Sequence, residues 1–211
     1  EGVAGVFLPE QLSRGGVEYA EARRLLTGEV NAAIAGAFDG GATEVIVKDA
    51  HATGFNLALD DVDARAEVVA GASFPVRFAG LDATFAGVIL LGYHAMAGTE
   101  AAICDHTMST ATWFRFELCG VEVGETGLDA AEAGRFGVPV IMVSGDDKVC
   151  HEARELLGAG LVTCQVKTGL ARHSVRTLAP QAARERVRAA AREAVSRKDR
   201  PGPYCPAPPY V

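Results

Sequence analysis

Val45-Ile46-Val47-Lys48-Asp49-Ala50-His51 and Val88-Ile89-Leu90-Leu91-Gly92-Tyr93-His94 decide the fold. Each is a short run rich in valine, isoleucine or leucine that ends in a histidine. Runs of this kind, bounded by turn residues, read as buried strands of a parallel sheet covered by helices on both faces. In open α/β sheets, ligands bind outside the carboxyl ends of the strands. Two histidines delivered from two such ends can therefore meet at one point, although they lie far apart in sequence. His106 follows soon after, and Glu125 stands in Gly124-Glu125-Thr126-Gly127. Imidazoles and carboxylates gathered at one sheet edge are the donor set that a hydrolytic divalent metal site requires.

Outward from these runs, strand and helix patterns alternate. Residues 19–38 repeat apolar positions at three- and four-residue steps and predict a helix, which Gly40-Gly41 ends. Strands are predicted at 44–48, 66–70, 87–91, 139–143 and 162–166. Residues 113–118 and 121–123 read as a hairpin turning at Cys119-Gly120. Helices are predicted at 125–136, at 149–157 after an N-cap at Asp146-Asp147, and at 181–197 after Pro180. The fold class is α/β, a mostly parallel central sheet flanked by helices. Residues 1–200 form this domain. The stretch 201–211 holds five of the nine prolines and reads as a linker toward a C-terminal region beyond Val211.

Composition narrows the function. The chain has 211 residues, 49% of them hydrophobic, which suits one large α/β domain and excludes a disordered chain. A net charge of -7 argues against nucleic acid or an anionic membrane as the main partner. The arginines between Arg184 and Arg200 alternate with alanine and glutamate and read as a solvated helix face. No run reaches the ~18 consecutive apolar residues that span a bilayer. The five cysteines are odd in number, widely spaced and without a C-x-x-C pair, which argues against a disulfide framework or zinc knuckle and favours a reducing cytoplasm. Cys119, Cys150 and Cys164 read as small hydrophobes, and Cys104 as a residue close to the site.

Each chemistry-bearing residue has a plainer reading beside it. A lone histidine at a strand end is commonly just hydrogen-bonded. The pair at equivalent ends points instead to a site, with Asp49 as an acceptor for the second imidazole N–H of His51. His106, in a polar loop, reads as a third ligand or as a proton-transfer residue. Glu125 opens a helix, where a carboxylate is favoured by the dipole alone. His151 and His173 read as surface or structural residues. Asp60, Asp61 and Asp63 read as a solvated turn, because the glycine and distal glutamate of a calcium loop are missing.

The ordered set Glu1-Gly2, Lys48-Asp49-Ala50-His51, Leu91-Gly92-Tyr93-His94-Ala95, Asp105-His106-Thr107-Met108, Gly124-Glu125-Thr126-Gly127-Leu128 and Val143-Ser144-Gly145-Asp146-Asp147 resembles the zinc D-aminopeptidase family of metallopeptidases. The resemblance runs along essentially the whole chain. It implies two zinc ions per subunit, with Glu1 and His94 on one and His51 and Glu125 on the other. It further implies a bridging aspartate two residues ahead of Glu1, and His106 in the catalytic role, as nucleophile or base. The implied substrate is a short peptide with an N-terminal D-residue such as D-alanine. The implied assembly is a homo-oligomer, a ring-stacked decamer enclosing its active sites. Two other readings stand beside it: another metal-dependent amidase or L-peptidase on the same site, and a catalytically silent oligomeric metal-binding scaffold.

Overall fold

A computed structural model describes residues 1–71 and 77–207. The elements run α1 (Val17–Asp39), β1 (Ile46–Lys48), β2 (Glu67–Val69), β3 (Val88–Tyr93), β4 (Glu117–Leu118) and β5 (Val121–Glu122). They continue with α2 (Glu125–Arg135), β6 (Val140–Asp146), α3 (Asp147–Leu157), β7 (Val162–Ala171), β8 (Ser174–Thr177) and α4 (Pro180–Ser196). The main sheet has the order β3-β6-β7-β8. Its first three strands are parallel, and β8 returns antiparallel on β7. Strands β1 and β2 form a separate parallel pair. The architecture is α/β, as the two opening runs predict.

Burial explains why β6 is central. All seven of its residues are buried, and Val140, Ile141, Met142 and Val143 read as a continuous apolar run and not as an alternating one. Ile141 and Met142 of β6 join Cys164 and Val166 of β7 in one core cluster with Ala183, Val187, Ala191 and Ala194 of α4. Val140 and Val143 join Leu90 of β3 in another, with Val149 and Ala153 of α3. Helices α4 and α3 thus each cover a share of the central strand. The small side chains of α4 also let α1 pack closely against it. Asp146 caps α3 by accepting from Lys148 N and Val149 N, as its position before the helix predicts.

Several boundaries differ from the sequence pattern. The predicted hairpin contracts to Glu117–Leu118 and Val121–Glu122, with Trp113 and Phe114 left exposed on the approach. Strand β7 runs on to Ala171, and β8 follows in a stretch whose polarity hides a strand. An edge strand is solvated along one side, so it lacks the apolar run that identifies its neighbours. Within the proline-rich tail, Tyr204 packs against the α3-side core and Cys205 Sγ contacts the Gly134 carbonyl. Among the described residues, no helix is long and apolar enough to cross a membrane.

Candidate functional site

Three backbone devices assemble the site. Strand β3 ends in a register shift against β6 at Gly92, whose φ of +73° is open to glycine and costly for other residues. The irregular end redirects the chain, and His94 is buried directly after it. The N-terminal segment docks on the same irregularity through Gly2 N, which donates to the Gly92 carbonyl at 2.8 Å. A Cβ on Gly2 would collide with the Tyr93 carbonyl, so glycine is what allows Glu1 to lie beside His94. Finally, Ala52 after His51 and both Cys104 and Met108 around His106 hold positive φ values of 49°, 52° and 59°. Such conformations cost roughly 1–3 kcal/mol each for a non-glycine residue and cluster at functional sites.

These devices bring all five sequence-predicted residues together. Glu1 Oε1 lies 3.1 Å from His51 Nε2. Glu125 Oε1 lies 3.4 Å from His94 Nε2 and 3.5 Å from His106 Nε2. The His94 and His106 rings stack with centroids 4.0 Å apart. One ligand atom each from Glu1, His94 and His106 falls within a 4.8 Å cluster. The closest pairs, Glu1 with His51 and Glu125 with His94, thus cross the pairings that the family resemblance implies.

Each imidazole is held by its other nitrogen. His94 Nδ1 donates to the Ala95 carbonyl at 3.0 Å, and His106 Nδ1 donates to the Cys104 carbonyl at 2.8 Å. A carbonyl only accepts, so these Nδ1 atoms carry a hydrogen, and in the neutral imidazole Nε2 presents a lone pair. His51 Nδ1 faces Asn56 Oδ1 at 3.4 Å. Asn56 is oriented in turn, because its Nδ2 donates to Asp49 Oδ1 and to the His51 carbonyl, both at 2.7 Å. Asp49 therefore reaches His51 through Asn56 and not directly, a correction to the sequence reading. The carboxylate is instead spent on turn backbone, accepting from Asn56 N and Leu57 N.

Electrostatics follow from this packing. Burial alone would lower the His94 pKa, but the hydrogen bond to Glu125 and the charges of Glu1 and Glu125 raise it. The Glu1 hydrogen bond raises that of His51 against the opposing effect of burial. Burial would raise Glu125, yet the His94 bond, the Met108 N–H and the Arg77 guanidinium hold it at about 2. His106 is lowered by burial and by neighbouring His94, which keeps its imidazole neutral. Burial raises the Cys104 thiol, so this cysteine is a poor thiolate nucleophile. His151 and His173 are exposed, as the sequence suggests.

Sequence reasoning missed the residues that hold the centre in place. Arg77 pairs with Glu125 at 3.3 Å and with buried Asp129, which also accepts from the Tyr93 hydroxyl. Asp129 lies four residues after Glu125 on α2, so a second carboxylate on the same helical face was a readable signal. Lys167 had none. Its ammonium is buried in β7 and donates to the carbonyls of Glu1, Val3 and Val6, the last two at 3.1 and 2.5 Å. Burial lowers its pKa to about 8. Buried Glu29 grips the same segment from α1, accepting from Ala4 N at 2.8 Å. Lys167→Met is expected to strand three carbonyls beside a buried carboxylate and to cost about 3 kcal/mol. Urea denaturation tests this, and a loss under about 0.5 kcal/mol would remove Lys167 as the anchor of the N-terminal segment.

With neutral imidazoles in this tautomer, acceptors would face acceptors. Such a centre is stable only with extra protons or a cation between them, and its N/O donor set suits zinc. Comparison with known proteins agrees. The chain is 36% identical over 207 residues to a D-aminopeptidase of Bacillus subtilis (strain 168), covering 98% of this chain and 74% of that one. It also matches the structure of the zinc-dependent D-aminopeptidase DppA from Bacillus subtilis, a self-compartmentalizing protease, with a TM-score of 0.93 and 35% identity. That match covers 98% of this chain and 75% of the other. The family model for M55 peptidases, the D-aminopeptidases, matches residues 1–211, and the chain belongs to that family.

Proposed function

We propose that this chain is a dinuclear zinc aminopeptidase that removes N-terminal D-residues, such as D-alanine, from short peptides. One observation carries the reading. Glu1, His51, His94, His106 and Glu125 converge from distant stretches, and each imidazole has its Nδ1 side tied to an oxygen. In this reading Glu1 and His94 hold one zinc, and His51 and Glu125 the other. Bound zinc would supply Lewis acidity toward the scissile carbonyl and a seat for the free α-amine.

The chain's own residues do the rest. His106 stays neutral and presents Nε2 to the centre, with its ring fixed by the Cys104 carbonyl. It is placed to take a proton from the attacking group and return it to the leaving amine. Arg77 and Met108 N hold the Glu125 carboxylate in place. We further propose a cytoplasmic homo-oligomer, a ring-stacked decamer. The self-compartmentalizing character of the Bacillus subtilis relative supports that assembly.

The test is hydrolysis of paired D- and L-aminoacyl amides by the purified protein before and after chelation. Cleavage of the D-series is expected to vanish with the chelator and return with zinc. It should fall as pH drops through the histidine range, because ligating imidazoles must be neutral to bind metal. Equal turnover of the L-series would favour a general amidase. Full activity after exhaustive chelation would rule out the two-zinc reading.

A further inference from the structure

Beside His106 the surface closes into a cavity of about 220 Å³, with Asp105, Trp113, Phe114 and Arg172 in its walls. Arg172 lies in the two-residue turn between β7 and β8, and its carbonyl accepts from Cys104 N at 3.0 Å. That bond fastens the turn to the loop that carries His106. Arg172 Nη1 pairs with Asp105 Oδ1 at 3.0 Å, and Asp105 Oδ2 accepts from Gly98 N at 2.8 Å. Asp105 is buried, whereas the Arg172 side chain stays about half exposed, at 48%. A guanidinium has five N–H donors, and among the described residues Asp105 is the sole ion-pair partner of this one. The carboxylate orients the fork and leaves donors for a second anion.

An aminopeptidase holds the substrate's amino end at its reacting centre, so the remainder of the peptide must leave along a neighbouring surface. The cavity adjoins His106, and its volume lies below the roughly 300–1,000 Å³ of pockets for drug-sized ligands. It fits a residue or two, with the Trp113 and Phe114 rings as apolar walls and Arg172 as its permanent cation. Guanidinium binds carboxylate through paired, charge-assisted hydrogen bonds. We infer that this cavity is the subsite for the C-terminal part of the substrate, and that Arg172 anchors the free C-terminal carboxylate of a di- or tripeptide. The inference rests on the proposed peptidase reading, and it adds a reason for selecting short peptides over long or blocked ones.

D-Ala-Gly and D-Ala-Gly-amide share one scissile bond and differ only in the terminal carboxylate. The zinc-loaded enzyme is expected to favour the acid by roughly 10- to 100-fold in kcat/KM, the value of a charge-assisted contact. Arg172→Met should bring the acid-to-amide ratio close to one, and Arg172→Lys should restore part of it. Trp113 is the chain's one tryptophan and lines the same cavity, so its fluorescence reads binding without catalysis. Glycylglycine should perturb it saturably and its amide more weakly, with the difference lost in Arg172→Met. No acid preference in the wild-type enzyme, or an equal loss for both substrates in Arg172→Met, overturns the inference. If neither substrate is cleaved, the peptidase reading fails, while the fluorescence titration still decides the subsite.

Discussion

His94→Ala is expected to abolish hydrolysis and bound zinc together. His94 is buried beside the irregular end of β3, its Nδ1 is held by the Ala95 carbonyl, and its Nε2 faces Glu125. Glu1 and Glu125 are each already engaged, with His51 and with Arg77. Even the loss of an outer partner to a ligand costs about 10- to 100-fold in metal affinity, so removal of the ligand itself should exceed that. Zinc per chain after dialysis, measured with turnover, checks the outcome. Circular dichroism guards against simple unfolding. A folded His94→Ala protein that keeps its full zinc content and activity would falsify the assignment of His94 as a ligand.

His106→Ala should separate metal from chemistry. A proton-transfer residue contributes roughly 10²–10⁴-fold to the rate, so kcat is expected to collapse by that order while zinc content is retained. The cluster that groups His106 with Glu1 and His94 gives the experiment a second informative outcome. Zinc loss in His106→Ala would make it a ligand, and near-normal turnover would make it a loop residue satisfied by its bond to Cys104.

The parallel sheet was legible because a strand buried on both faces leaves an uninterrupted apolar run. Residues 139–143 show this and became the first half of β6, while 87–91 carried the same apolar run into β3, the half-buried edge strand of the sheet. His51, His94, His106 and Glu125 were legible as imidazoles and a carboxylate gathered after apolar runs, whereas Glu1 was legible only through the family resemblance. Their supports were not. Lys167 sits between Val166 and Thr168, where a lysine normally faces water, and only the tertiary fold reveals that it is buried against carbonyls. Asn56 depends on a turn that brings it back onto His51. Strand β8 carries an edge-strand pattern too polar to separate from a loop.

The tether from Lys167 to Glu1 links positions 166 residues apart in the chain. A nascent chain that has already exposed His51, His94 and Glu125 at the ribosome still lacks the ammonium that fixes Glu1. Closure of the centre therefore waits for synthesis of β7 and for the long-range contacts that are slowest to form. Once complete, the domain gains from whatever cation fills the centre, by about 2.7 kcal/mol at a hundredfold excess over Kd. That gain accrues to the folded state as a whole, because the donors that would share the cation come from segments far apart in the chain.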